Sequence, residues 1–488
     1  MNIIHKSITR LTLIALILAN CSVLPEQAKP SSTSANEVSI TAFTHVNLVP
    51  MTAEIVVENQ TVLIEGSKIT AIGPADEVSI PREAVIIDGE GAYLLPGLAD
   101  MHMHTQQDWD TDEWPVSPLL LYLANGVTTI RDFGPSGKDL TYVLEWRDQI
   151  KAGTRIGPTI YATGKILFAS PLSDPRGLVR ENHQLGFDFL KLYSYLSPED
   201  AREALITAKE LEMYSAGHVP YAIGLENILA AGMEEIAHVE ELLFAFIEYD
   251  RKQQLAPDAW LEYLIQSAMQ QFDLVSGFNE AEFALQHTDT MQQIVEQLNI
   301  NGTPIDTTMV VDDVIQQKMF KLEAFISRPE SDFLPTAYLD LLRSGKEKHQ
   351  LQFAGIKNLA IYKYEIDRWI LAGLHQAGIP LLLGTDSGTG GMGIVPGFSI
   401  HDELRILVEN GFTPYEAIAT GTVNAAEVIE AMVGDGSFGT IVVGKRADLI
   451  LVKNNPLEDV ANIENIRGVM AAGRWYSEEE LDQMIALE

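Results

Sequence analysis

His102 and His104, one residue apart, close an apolar run from Leu94 to Thr105 that Pro96 and Gly97 interrupt. Such a run reads as a buried strand. Residues two apart on a strand share a face, so both imidazoles point into one cavity while Met101 and Met103 face the opposite packing layer. Two neutral imidazoles converging in this way are half of a divalent-metal site. A lone His-x-His is more often a solvated or hydrogen-bonded accident, and the test is whether further ligands fall at later strand ends. Lys191 lies in FDFLKLY, where Phe187, Phe189 and Lys191 share a face. An unpaired ammonium is costly to bury there. Either the side chain snorkels at the strand end, or its amine has reacted with CO2 to give an anionic carbamate able to bridge two cations. His218 in SAGHVP, His238 in EEIAHVE and Asp386 in GTDSG each close a further apolar segment. Each alone is more often a hydrogen-bonded core residue; their joint recurrence at strand ends favours a shared metal site.

The elements that must position these residues are parallel βα units. Strands alternate with helical stretches through the middle of the chain. The first strand carries the His-x-His pair. SPLLLYLANG is a helix closed by Gly126, VTTIRDFG the second strand, TYVLEWRDQIKAG a helix, TIYATGK the third strand and GFDFLKLYSY the fourth. The helix after it starts at Ser197, with Glu199 and Asp200 in its first turn. The fifth and sixth strands end at His218 and His238, DTTMVVD is the seventh, and IPLLLGTDSG the eighth. Eight units predict an α/β chain whose core is a (β/α)8 TIM barrel with its chemistry at the C-terminal strand ends. The candidate ligands then fall on strands one, four, five, six and eight.

Shorter β-like segments flank this region: SITAFTHV, AEIVVEN, TVLIEG, KITAIG and AVIIDG before it, and Thr440–Val443, Asp448–Val452 and Gly468–Trp475 after it. Both chain ends are therefore expected to build one small β-sandwich domain, from 38–95 and 433–488, with the metal-dependent barrel of 96–432 inserted between them. Residues Glu240 to about 302 and Asp312 to about 378 exceed ordinary βα connections, and part of each is expected to wall the barrel mouth.

Composition excludes several function classes. The chain has 488 residues, 46% hydrophobic and 21% charged, with a formal charge of −35. That charge repels nucleic acid and anionic lipid headgroups. The single cysteine rules out an intrachain disulfide framework and a cysteine-rich zinc cluster. At the N-terminus, His5, Lys6 and Arg10 precede LTLIALILA, too short to span a bilayer and of the length of a signal-peptide core. Leu18–Cys21 resembles a bacterial lipoprotein box, with Asn20 departing from the small residue usual before the cysteine. Residues 1–21 thus read as a signal peptide that either makes Cys21 a lipidation site or is simply cleaved, and 22–37 as a flexible tether. In both cases the mature protein is exported to the periplasm, in the first anchored to membrane.

The motifs PGLADMHMHT (96–105), GVTTIRD (126–132), FDFLKLY (187–193), AGHVP (216–220), EEIAH (234–238), GTDSG (384–388) and GTIVVGKRADLILVKNNP (439–456) together resemble the amidohydrolase superfamily. The resemblance is to its binuclear branch with a carboxylated lysine, and within that to imidazolonepropionase-like and Xaa-Pro-dipeptidase-like members. It spans nearly the whole chain after residue 38. Ala237, where many relatives carry Glu, and the long insertions after strands six and seven depart from the pattern. The resemblance implies two divalent ions, zinc foremost, with His102, His104 and Asp386 holding the buried one, His218 and His238 the more exposed one, and carboxylated Lys191 between them. It also implies that a metal-bridging hydroxide attacks an amide C–N bond in a dipeptide or N-acyl amino acid, with Asp386 as the catalytic general base and then acid. Lactone or phosphotriester hydrolysis on the same site is the alternative, and a non-catalytic exported binding protein a further one.

Substrate contacts are less legible. Tyr193 shares the parity of Lys191 and is expected to bind substrate or to pack. Arg131 could meet a carboxylate or pair with Asp132. His401 is expected at the rim, and His45, His183, His287, His349 and His375 lie off the strand-end pattern and read as ordinary. Oligomeric state is not encoded in any of these features.

Overall fold

A computed structural model describes residues 39–109, 111, 113–388 and 392–487. The expected signal peptide, Cys21 and tether lie outside the described residues. Ser39–Glu488 forms one compact unit.

In chain order the strands are β1 (Ile40–Leu48), β2 (Val57–Glu65), β3 (Lys68–Pro74), β4 (Val85–Asp88), β5 (Tyr93–Pro96), β6 (Leu98–Met103), β7 (Val127–Asp132), β8 (Thr159–Ala162) and β9 (Leu167–Ala169). There follow β10 (Phe189–Tyr195), β11 (Tyr214–Gly217), β12 (Glu235–Ile236), β13 (Ile305–Asp306), β14 (Leu381–Leu382), β15 (Leu449–Val452), β16 (Ile466–Ala471) and β17 (Arg474–Ser477). Both chain ends meet in one eight-stranded sheet, ordered β17-β16-β15-β5-β1-β2-β3 with β4 beside β1. Antiparallel β15 pairs Leu449–Val452 with Tyr93–Pro96 of β5, which joins the two ends. Its apolar cluster draws Phe43, Val62 and Leu94 from the first end and Leu449, Leu451 and Met470 from the second. The expected strand at Thr440–Val443 is absent: the segment is irregular, and Val443 is exposed because Val442 and Val443 close a turn at Gly444 rather than pair.

The middle region is a mixed α/β arrangement of parallel strands with helices between them. β6-β7-β8 form one parallel arc and β9 to β14 another, in the order β14-β13-β12-β11-β10-β9. Isolated parallel bridges link the arcs at both ends, Thr163 with Phe189 and Met103 with Ser387. Met101 N also donates to Leu383 O at 2.8 Å.

Helix starts follow the sequence signals. Ser197 caps Pro198–Glu210, its hydroxyl accepting from Asp200 N at 3.2 Å, which satisfies one of the free amides of the first turn. The seventh strand is shorter than expected. It ends at Asp306, and Val310–Phe320 is a helix, so the apolar run MVV belongs to the helix start. A strand β9 and a helix Pro175–Leu185 also intervene before β10. In β6 the pairing register shifts between Asp100 and Met103. Such an irregularity re-aims side chains: Met101 joins a cluster with Phe133 and Phe189 while Met103 joins the main core, so the two methionines do not share a layer.

Candidate metal centre

The residues singled out at strand ends meet in one place. His102, at the end of β6, is fully buried, with its ring stacked 4.0 Å from that of Phe133 and tilted against that of His238 at 4.3 Å. Its Nε2 lies 3.4 Å from Lys191 Nζ and 3.7 Å from Asp386 Oδ1. His104 Nε2 is 2.9 Å from the same carboxylate oxygen, and His218 lies ring to ring with His238 at 4.8 Å. One ligand atom each of His102, His104 and Asp386 falls within a 4.8 Å span.

The second nitrogen of every imidazole is already engaged. His102 Nδ1 is 2.9 Å from Asp306 Oδ2, His104 Nδ1 3.1 Å from Gly134 O, His218 Nδ1 2.6 Å from Glu241 Oε1, and His238 Nδ1 2.8 Å from Thr308 Oγ1. Carboxylate, carbonyl and hydroxyl partners of this kind fix ring orientation, the usual support of metal-ligating histidines. Burial, reinforced by neighbouring positive groups, depresses the imidazoles: His218 to about 3, His238 to about 4, and His102 well below its ordinary value. At neutral pH their lone pairs are therefore free. Burial likewise brings Lys191 down to about 8, against the pull of Asp386, Asp306 and Asp132. Burial alone would raise Asp386, but the hydrogen bond and charge of His104, with His238 and Lys191 behind it, hold its carboxyl below the usual range. Three neutral imidazoles, His104, a lysine and an ionised carboxylate are a donor set that fits divalent cations.

The backbone is bent to make this possible. His238 and Asp386 adopt φ of 66° and 56°, and Thr308 46°, a conformation uncommon outside glycine and one that clusters at functional sites. Asp100 anchors the eighth strand end by accepting from Thr385 Oγ1 at 2.6 Å and Thr385 N at 3.1 Å. Gly217, directly before His218, has φ 143°, and a Cβ there would stand 2.1 Å from Leu192 O. Gly217→Ala should therefore cost at least about 2 kcal/mol, combining backbone strain with overpacking; chemical denaturation reads this, and a loss below about 0.5 kcal/mol would contradict it.

Three expectations are corrected here. Arg131 does not pair with Asp132, nor does it face a substrate. Wholly buried, it binds both carboxylate oxygens of Glu235, with one contact at 2.9 Å, and reaches Asp306 Oδ1 at 3.2 Å and Met101 O at 2.8 Å. Asp132 instead takes the Thr105 hydroxyl and the amide of Gly134. His401 is buried in the helix Ser399–Glu409 rather than standing at the rim. His349, read as ordinary, lines the same cavity as the histidine cluster and contacts Lys318 Nζ at 2.9 Å and Glu347 Oε1 at 2.8 Å. The orienting partners Asp306, Glu241 and Thr308 were missed. Asp306 ends a strand just as the ligands do, which was the available signal; Glu241 and Thr308 carried none.

The cluster opens into a cavity of about 580 Å³ lined by Lys191, Tyr193, His218, His238 and Asp386, within the usual range of small-molecule sites. The Tyr193 ring stands 4.1 Å from that of His218. Both long insertions supply wall residues, from Leu243 to Leu274 and from Val311 to Ile366. A second acidic group, Glu240, Asp312 and Asp367, already holds a cation: Lys363 Nζ lies 2.6, 2.8 and 2.8 Å from the three.

Residues 362–476 match the profile of the amidohydrolase family. With the likenesses that follow, this match supports an enzyme of amidohydrolase type. It is similar to the ochratoxinase of Aspergillus niger, at 24% identity over 468 residues, covering 89% of this chain and 86% of that protein. Among solved structures it resembles a Xaa-Pro dipeptidase with bound methionine (TM-score 0.62, 20% identity, 90% of this chain and all of that one). It also resembles molinate hydrolase (TM-score 0.63, 18% identity, 93% and 98%).

Proposed function

We propose that the chain hydrolyses an amide C–N bond at two divalent ions held by His102, His104, Lys191, His218, His238 and Asp386. The observation that carries this reading is the set of four imidazoles, each engaged through Nδ1, grouped around Lys191 and Asp386. His102, His104 and Asp386 would hold one ion and His218 and His238 the other, with Lys191, once carboxylated by CO2, as the remaining ligand. Zinc suits this donor set best. Such a pair supplies an acidified water as nucleophile and polarises the scissile carbonyl. Asp386 then takes the proton of the attacking water and delivers it to the leaving nitrogen, while Tyr193 borders the substrate. The ochratoxinase and Xaa-Pro dipeptidase likenesses favour an amide or dipeptide over the lactone or phosphotriester alternative. The framework is read as a (β/α)8 barrel of 96–432, supported by the bridges at both ends of the two arcs, set between the sheet portions 38–95 and 433–488.

A panel of dipeptides, N-acyl amino acids, lactones and a phosphotriester tests the reading. Amide turnover should exceed the others by at least about tenfold. Lactone or phosphotriester turnover without amide turnover would replace it, and no turnover by metal-loaded protein would favour a binding role. Chelation should abolish the activity by about 10²-fold or more, with recovery on adding a divalent cation; undiminished rates after full metal removal would contradict the assignment. For location, we propose export with Cys21 lipidated. Cys21→Ser should then move the protein from the membrane to the soluble fraction, and an unchanged distribution would refute the anchor.

A further inference from the structure

The cavity does not stop at the polar cluster. Along the helix Pro257–Gln271, Leu261, Leu264, Ile265 and Ala268 line it, followed by Phe272. Their spacing keeps them on one helical face. From Leu261 to Phe272 that face runs about 16 Å at ~1.5 Å per residue. Val311, Ile315, Phe353 and Leu359 form the wall shared with the other insertion. Leu274 and Leu359 line both this cavity and a second one of about 530 Å³, whose edge carries Val275, 82% exposed, and Ile356, also exposed. An apolar wall thus extends from Lys191, His218, His238 and Asp386 between two helical insertions to Leu274 and Leu359, which also border the second cavity.

We propose that this wall seats one long unbranched alkyl chain of the amide substrate, so that the enzyme prefers long-chain N-acyl amides. This rests on the hydrolytic reading given above and narrows its substrate class. A dipeptide side chain would leave most of a 16 Å apolar stripe uncovered, whereas an extended chain buries it methylene by methylene at ~0.8 kcal/mol each. Continuity with the polar cluster places the amide at the inner end and the chain tail toward Leu274 and Leu359.

Two measurements test this, and only one needs turnover. Across N-acylglycines from acetyl to dodecanoyl, kcat/KM should climb about fourfold per added methylene, and a flat series would overturn the preference. Dodecanoate binding to the full chain, read by calorimetry, should be at least about 10²-fold tighter than acetate binding. It should weaken at least about tenfold in Ala268→Phe, which fills the space beside the wall, and in Leu359→Gln, at a half-exposed position that tolerates a polar group. Absent dodecanoate binding, or binding undiminished in a folded variant of either kind, would overturn the proposal. If dodecanoate binds as expected while no amide is cleaved, the chain seat stands and the hydrolytic reading fails.

Discussion

Replacing Asp386 with asparagine should lower kcat by about 10³- to 10⁴-fold, the range expected for loss of a general acid–base group, while leaving the fold intact. Among the described residues the carboxylate pairs with the Nε2 atoms of His104 and His102, and asparagine has nearly its shape. Its amide donates to His102 O at 2.7 Å, a bond asparagine keeps. The φ of 56° at this position suits asparagine as well as aspartate. What asparagine cannot do is accept a proton and return it. Steady-state kinetics beside a thermal melt separate the two effects: a normal melt with lost turnover is expected, and turnover within tenfold of the parent would remove Asp386 from the proton path.

Arg131→Leu should be the most damaging substitution for stability, costing about 3–5 kcal/mol. The guanidinium is wholly buried between Glu235 and Asp306, themselves fully buried. Removing it leaves two carboxylates facing each other without a counter-charge in a medium where neither is solvated. The damage reaches the candidate metal centre, because Asp306 also holds His102 Nδ1. Urea denaturation measures the loss, and a change under about 1 kcal/mol would show that the buried pair is dispensable.

The contrast between these two residues shows what was legible in the sequence. Asp386 announces itself, since it follows an apolar run at a strand end and repeats the pattern of His102, His218 and His238. The candidate ligands could be picked out because parallel strands deliver their C-terminal residues to one end, a regularity that needs no knowledge of loops. Arg131 follows a different logic. Its partners stand 104 and 175 residues away, and nothing local marks them, so adjacent Asp132 looked the obvious mate. The seventh strand failed similarly: MVV reads as β by side-chain type, yet Met309 N and Val310 N donate to Glu403 at 3.0 and 2.7 Å, a tertiary cap that starts a helix there. The helical character of the insertions was readable from periodicity. That they build a shared apolar wall was not, because which face meets which is decided only by packing.

Metal analysis of purified protein expressed with excess divalent cation tests the central claim most directly. Close to two equivalents per chain are expected for the parent, falling to about one or fewer when His218 and His238 are both replaced by alanine. Less than about half an equivalent in the parent, with the chain folded, would mean that the four imidazoles do not hold ions, and the hydrolytic assignment would fall with them.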